Sequence, residues 1–291
     1  MKITDILNSK PVTLSFEVFP PGSHAAFEAT AAAASQIAAL SPAFLSVTYG
    51  AGGGTSEYTL GLAEEIRAKN NVEVLPHLTC VSSDREHVNK MISAFQSKGF
   101  ENIMALRGDL PKNGCISSDY HYAAELIRDI RSRGEFCIGA ACYPEGHPEC
   151  VHKNDDIRYL KEKVDAGCDF LTTQLFFDNA VLYNFLYRIR EAGITLPVLA
   201  GIMPITSARY LKRSVAMSGT VVPARFLAIV DRFGDNPAAM KQAGIVYACE
   251  QIVDLIANEV NHIHVYTMNK PEVAASIMAN LSVILGRGDG A

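Results

Sequence analysis

Apolar residues in this chain gather into eight short runs, each closing on a polar or glycine-rich cluster. They are TLSFEVF (13–19), FLSVTYG (44–50), VEVLPHLT (72–79), NIMALRGD (102–109), CIGAACYP (137–144), FLTTQLFF (170–177), LPVLAGIMP (196–204) and HIHVYTMN (262–269). Helical periodicity fills the stretches between them, over 24–40, 56–69, 84–98, 119–133, 153–166, 179–192, 206–217 and 271–285. Strand, helix, strand in repetition predicts parallel strands joined by helical crossovers. Eight such units predict an α/β fold, a closed (β/α)8 or TIM barrel, whose chemistry sits at the C-terminal strand ends. The last interval, from 204 to 269, is 65 residues long and predicts two extra helices before strand eight, near 223–233 and 236–258. An open doubly wound sheet is the competing architecture, but no reversal of strand order is marked.

Alternation within the runs separates two faces. Leu14, Phe16 and Val18 oppose Thr13, Ser15, Glu17 and Phe19; Leu45, Val47 and Tyr49 oppose Ser46, Thr48 and Gly50. In the sixth run Leu171, Thr173 and Leu175 oppose Thr172, Gln174 and Phe176; in the eighth, Ile263, Val265 and Thr267 oppose His264, Tyr266 and Met268. The apolar sets are expected to meet the surrounding helices, and the small or polar sets to line the lumen and its mouth. Ser23, after the PPG turn, is the expected N-cap of the first long helix.

Length fits this picture: 291 residues exceed the roughly 250 typical of such a barrel, and no linker-like stretch divides them, so one catalytic domain over 1–291 is expected. A net charge of −5 without a basic block gives no support for nucleic-acid binding, and no apolar run is long enough to cross a membrane. The N-terminus lacks a secretory layout, and seven cysteines without CxxC spacing predict reduced thiols in a cytoplasmic protein. Cys142, His147 and Cys150 fit no common zinc spacing, so no metal is expected. The GRGDG tail (286–290) is read as a frayed end.

Glu17 is the sharpest candidate for chemistry. A carboxylate on the lumen face of an apolar strand loses hydration, which raises its pKa and suits general-acid work; a structural ion pair with a lysine or arginine across the mouth is the alternative. Arg107 and Asp109 share a face at the end of the fourth run, poised for a ligand or for a mutual salt bridge. The loop Gly50–Thr55 lets a ligand approach backbone before a helix N-terminus, yet matches neither GK[ST] nor GxGxxG. His77 and Tyr143 also close their runs, and Gln174 can both donate and accept, as an amide-bearing heterocycle requires. As a set these groups suit a large, polar, aromatic ligand.

The strings FEVFPP (16–21), SVTYGAGG (46–53), PHLTC (76–80), ALRGDLP (105–111), YPEGHPE (143–149), KVDAGCDFLTTQLFFD (163–178), GIMPI (201–205) and HVYTMN (264–269) run in order along nearly the whole chain. Together they closely resemble the methylenetetrahydrofolate reductases of bacterial type. The resemblance implies a TIM-barrel flavoenzyme that reduces 5,10-methylenetetrahydrofolate to 5-methyltetrahydrofolate by ping-pong hydride transfer through FAD. It implies Glu17 as the acid that helps open the folate five-membered ring, and Asp109 as the carboxylate near flavin and folate. Thr48, Tyr49, Ala51, His77, Arg107, Gly108, Asp109, Tyr122, Ala123, Tyr143, His147, Asp156 and Lys163 match cofactor positions. Gln174, Tyr210, Tyr266 and Lys270 match the substrate side.

Tyr210 and Ser214 stand where prominent family members carry a glutamine and a phenylalanine, and Lys270 stands where an arginine is frequent. These departures leave the electron donor open between NADH, NADPH and an electron-delivering partner protein. A homo-oligomer without nucleic-acid or membrane partners is expected. Rival readings are a barrel aldolase, for which Lys153 is the remaining Schiff-base candidate, another flavin oxidoreductase, and a non-catalytic folate- or corrinoid-associated subunit. A pure binding module gains little from a buried acid at Glu17.

Overall fold

Eight parallel strands close on themselves in sequence order: β1 (Thr13–Val18), β2 (Leu45–Val47), β3 (Val74–Thr79), β4 (Asn102–Leu106), β5 (Cys137–Cys142), β6 (Phe170–Thr173), β7 (Val198–Ile202) and β8 (His262–Tyr266). The structure is a computed structural model that describes residues 1–49, 56–110 and 119–287, with the backbone alone at Ser56, Lys153 and Asn154. Ala51 with the glycine loop, the side chain of Lys153 and the end of the GRGDG tail therefore lie outside the described residues.

The described helices are α1 (Ile3–Ser9), α2 (Phe27–Ala38), α3 (Ser56–Lys69), α4 (Arg85–Ser97), α5 (Ala123–Arg133), α6 (Lys153–Asp165), α7 (Asn179–Glu191), α8 (Ala208–Ser218), α9 (Ala224–Phe233), α10 (Pro237–Ala257) and α11 (Pro271–Asn280). The two expected extra helices before the last strand are α9 and α10. Leu14, Phe16, Val18, Leu45, Val47, Ile263 and Val265 pack outward against buried helix residues such as Ile37, Leu62 and Ile277. Burying each such side chain contributes about 1.5–3 kcal/mol, so the face with this apolar set is the one that must turn outward.

Register places the candidate acid: Glu17 pairs with Ser46 on one side and with Tyr266 on the other. The β1–β8 seam is tied above this layer by Asn269, whose amide accepts from the Phe19 N–H and donates to the Phe19 carbonyl, both at 2.9 Å. Met268 and Asn269 carry positive φ of 55° and 53°, a conformation costly for side-chain-bearing residues that these two bonds help to hold.

Several expectations change. The N-terminal segment is a helix: α1 inserts Ile3, Ile6 and Leu7 beneath the barrel, against Phe44, Leu75, Met104, Cys137, Phe170 and Leu199. The bottom of the barrel thus carries a hydrocarbon plug, pinned by the Ile3 N–H donating to the buried Asn102 Oδ1 at 2.8 Å. The sixth strand ends at Thr173, so two-residue alternation stops there. Phe176, expected in the lumen, packs in the layer between barrel and helices, and Leu175 joins a separate cluster with Phe177, Phe226 and Tyr247. The first long helix opens with a 3-10 turn, His24–Ala26, and the Ser23 side chain makes no capping bond. Side-chain caps appear instead at α4, α7, α8 and α10, from Asp84, Asp178, Ser207 and Asn236.

Candidate active site

A cavity of about 670 Å³ opens where the strands end, its floor set by Leu75, Met104, Ala105 and Ala141. Sixteen of the candidate residues line it: Glu17, Thr48, Tyr49, His77, Arg107, Gly108, Asp109, Tyr122, Ala123, Tyr143, His147, Asp156, Lys163, Gln174, Tyr210 and Tyr266. Lys270 is not on that wall; its ammonium donates to Thr206 Oγ1 at 2.8 Å and sits 4.4 Å above the Tyr210 ring.

Glu17 projects from the upper half of β1 with its side chain 21% exposed, so it faces the cavity rather than sealed core. Its Oε2 lies 3.8 Å from His77 Nε2 and 3.8 Å from His264 Nε2. No lysine or arginine ion pair reaches it among the described residues, which removes the structural pairing considered from sequence. Burial lowers the His77 pKa from 6.5 to about 4, outweighing the opposing pull of the Glu17 charge. His77 is therefore neutral at neutral pH. His264 is fixed by hydroxyls, with Ser15 Oγ 2.8 Å from Nδ1 and Ser46 Oγ 3.1 Å from Nε2.

Arg107 and Asp109 do not pair as a mutual salt bridge. Arg107 forks onto Glu149 at 2.7 and 2.8 Å, and that bond raises its pKa, while Asp109 stands exposed at the rim. Gly108 between them has φ +89°, and a Cβ there would come within 2.9 Å of Thr79 Cβ, so the turn excludes larger residues. Next along the wall, the Tyr143 ring meets His147 edge-on at 4.6 Å between centroids. Burial pushes the Tyr143 hydroxyl up to about 12, so it is a donor at any working pH. Lys163 donates to the Ala141 carbonyl at 2.8 Å, and burial lowers its pKa; burial also raises that of Asp156, against the attraction of Lys163.

Across the cavity, the Tyr266 hydroxyl donates to the Thr173 carbonyl at 2.5 Å. Gly201 makes this possible: a Cβ there would lie 2.4 Å from the Thr173 oxygen and 2.6 Å from the Tyr266 hydroxyl. Gln174 Oε1 accepts from the Leu175 N–H at 2.8 Å, which leaves its amide N–H2 toward the cavity it lines. Tyr49 reaches His87 at 2.9 Å, while Tyr122 is exposed and Ala123 opens α5. On α8, Ser214 is buried with its hydroxyl against Met203 Sδ at 3.3 Å.

Sequence reasoning left His264, Glu149 and the Thr173–Gly201 contact without roles. Alternation had already put His264 on the inward face with Tyr266, so a second histidine beside Glu17 was the available signal. The Arg107–Glu149 fork joins two loops 42 residues apart and has no local trace.

Apolar Leu75, Met104, Ala105 and Ala141, hydroxyl and amide groups, and Arg107 and Lys163 in one lining suit a ligand with an aromatic heterocycle and anionic groups. Comparison with known proteins agrees in kind. The sequence model of the family described as methylenetetrahydrofolate reductase matches residues 2–282. "Methylenetetrahydrofolate reductase (NADH) 1" of Arabidopsis thaliana is 33% identical over 298 residues, which cover 97% of this chain and 50% of the relative. "5,10-methylenetetrahydrofolate reductase" of Pectobacterium carotovorum subsp. carotovorum is 33% identical, covering 94% of this chain and 91% of its own length. The Escherichia coli K12 protein of the same name is 31% identical with the same coverage. The chain thus spans about half the length of the plant relatives it matches and most of the bacterial ones. Among solved structures, a protein from Clostridium thermocellum described as binding two copies of 5-methyl-5,6,7,8-tetrahydrofolic acid aligns with TM-score 0.64 at 12% identity. It covers 97% of this chain and 99% of its own, a likeness of fold.

Proposed function

We propose that this chain, which belongs to the methylenetetrahydrofolate reductase family, reduces 5,10-methylenetetrahydrofolate to 5-methyltetrahydrofolate in the cavity at the strand ends. The observation that carries the reading is Glu17: a carboxyl group facing a large cavity, between two buried histidines and without a cationic partner among the described residues.

The donor set fits a flavin dinucleotide. Thr48, His77, Tyr143 and Gln174 would meet the polar rim of its ring, while Arg107, His147, Asp156 and Lys163 would hold its ribityl and phosphate portions. When bound, it would supply the hydride that the protein side chains cannot. Because Arg107 is held by the exposed Glu149, a ligand phosphate would have to share or displace that carboxylate.

The chain's own part is proton and charge management. Glu17 gives its proton to the folate nitrogen released as the five-membered ring opens, leaving the one-carbon unit as an electrophilic iminium. Neutral His77 places no positive charge beside Glu17, although their side chains lie 3.8 Å apart. Asp109, at the rim, offsets the positive charge of the iminium. Gln174 and Tyr266 bracket the pterin, Gln174 through its amide and Tyr266 as a ring braced on Thr173. Reductant and folate use one cavity in turn, the arrangement of a ping-pong cycle. The plant relatives carry NADH in their names, and a reduced nicotinamide is the donor class proposed here, with Tyr210 giving α8 an aromatic face one turn before Ser214.

Glu17→Gln tests the reading. The variant is expected to bind flavin and to bleach when NADH is added, yet to lose about 10²–10⁴ in folate turnover. Normal folate turnover in this variant would remove Glu17 from the mechanism. A wild-type protein that binds methyl-folate, takes up no flavin and turns nothing over would be a binding subunit instead. Single-turnover bleaching with NADH, NADPH and a reduced electron-transfer protein separates the donors.

A further inference from the structure

We propose that Glu149 competes with the flavin diphosphate for Arg107, so that this carboxylate sets how tightly the cofactor is held; the inference deepens the flavin reading above and rests on it. Arg107 follows the last residue of β4, and Glu149 lies in the loop between β5 and α6. A guanidinium has five N–H donors and forks onto a pair of oxygens along either of two edges. Glu149 takes the Nη1–Nη2 edge, its two oxygens at 2.7 and 2.8 Å. On the other edge the Gly108 carbonyl accepts from Nε at 3.3 Å. No complete edge is left for a phosphate, which an arginine binds with the same forked geometry as a carboxylate. The two anions therefore exclude one another at Arg107.

Exposure decides which side of the pair yields. The Arg107 side chain is 21% exposed and that of Glu149 49%, so the cation is set into the cavity wall while the carboxylate stands outside it. Two successive tight turns fix the backbone around Glu149: the Gly146 N–H donates to the Tyr143 carbonyl at 3.0 Å, and the Cys150 N–H to the His147 carbonyl at 2.9 Å. Rotating one side chain toward water is then enough to open the fork. The second turn also prepares a donor for an anion. The Glu149 N–H donates to His147 Nδ1 at 3.1 Å, which puts the proton of the neutral ring on Nε2. Burial holds the His147 pKa below its ordinary value, so this ring, which lines the same cavity, is neutral at neutral pH. Opening the fork thus frees a cation near a second N–H donor and leaves the backbone in place.

The test titrates FAD into the flavin-free full chain, wild type and Glu149→Gln, and reads Kd from the quenching of flavin fluorescence. A partly exposed ion pair is worth up to about fivefold, so Kd is expected to fall by about that factor in the variant at low salt. Glu149→Ala, which removes the reach of the side chain as well as its charge, should show the same gain. The effect must pass through Arg107: in an Arg107→Gln background, itself weaker for FAD, adding Glu149→Gln should change Kd by less than about twofold. Unchanged or weaker FAD binding in both Glu149 variants would overturn the proposal, because Glu149 would then stay on Arg107 and orient it. A gain of full size in the absence of Arg107 would overturn it as well, by assigning the effect to charge alone. In both cases FAD binding by wild type leaves the flavin reading standing. If wild type takes up no FAD, the flavin reading and the competition fall together.

Discussion

Replacing His77 with glutamine should flatten the acid limb of this protein's stability curve. The ring is 6% exposed, and burial pulls its pKa from 6.5 down to about 4. An unfolded chain takes up the proton near pH 6.5, whereas the folded chain takes it up only near pH 4. Between those values the unfolded state binds more protons, so stability falls as the pH is lowered through that window and is unaffected by this group above it. The gap, at about 1.4 kcal/mol per pH unit, corresponds to roughly 3 kcal/mol. Glutamine keeps much of the volume and polar reach without titrating. Urea unfolding followed by far-UV circular dichroism, from about pH 8 to about pH 4, measures the difference between the two proteins and cancels the titrations they share. Wild type should lose roughly 3 kcal/mol more than His77→Gln on going from pH 6.5 to pH 4. Parallel curves would refute the reasoning, because they would mean that the imidazole is protonated as easily inside the barrel as outside it. Removing the Glu17 charge should depress the His77 titration further, an effect that imidazole NMR shifts would read directly.

Gly201→Ala places a methyl group 2.4 Å from the Thr173 carbonyl, a backbone atom that cannot swing away. It should cost about 2 kcal/mol or more, lower Tm by several degrees and reduce folate turnover by displacing Tyr266; an unchanged melting curve would contradict the close approach. Ile3→Ala removes a fully buried side chain from the plug beneath the barrel and should cost about 3 kcal/mol in urea unfolding. At temperatures where the variant is folded, its kcat should stay close to wild type, since the plug meets the cavity from below through Leu75 and Met104 and contributes no polar group to it. A drop in kcat would show that the lower lumen reports to the site.

The order of strands and the outward faces were legible because hydrophobic spacing is set by local geometry. Glu17 and Tyr266 were legible for the same reason, each being an inward position on a clean alternation. The sixth run misled at Phe176, since a sequence pattern does not reveal that ladder pairing stops at Thr173. Helix α1 escaped notice because seven residues without a side-chain cap give a weak signal, although Ile3, Ile6 and Leu7 have helical spacing. The neutral His77, the Arg107–Glu149 fork and the Tyr266–Thr173 bond depend on contacts across the barrel, which no window along the chain contains.

Glu17 and Tyr266 sit on the first and last strands, and a bond from the Thr267 hydroxyl to the Glu17 carbonyl spans 250 positions of the chain. During synthesis the acid is made early, with Ser46 and His77 close behind, but His264 and Tyr266 arrive only when the eighth strand leaves the ribosome. A nascent product that stops before β8 lacks His264 and Tyr266, so it cannot hold the assembled constellation. The appearance of turnover would serve as a clock for the last step of circularisation.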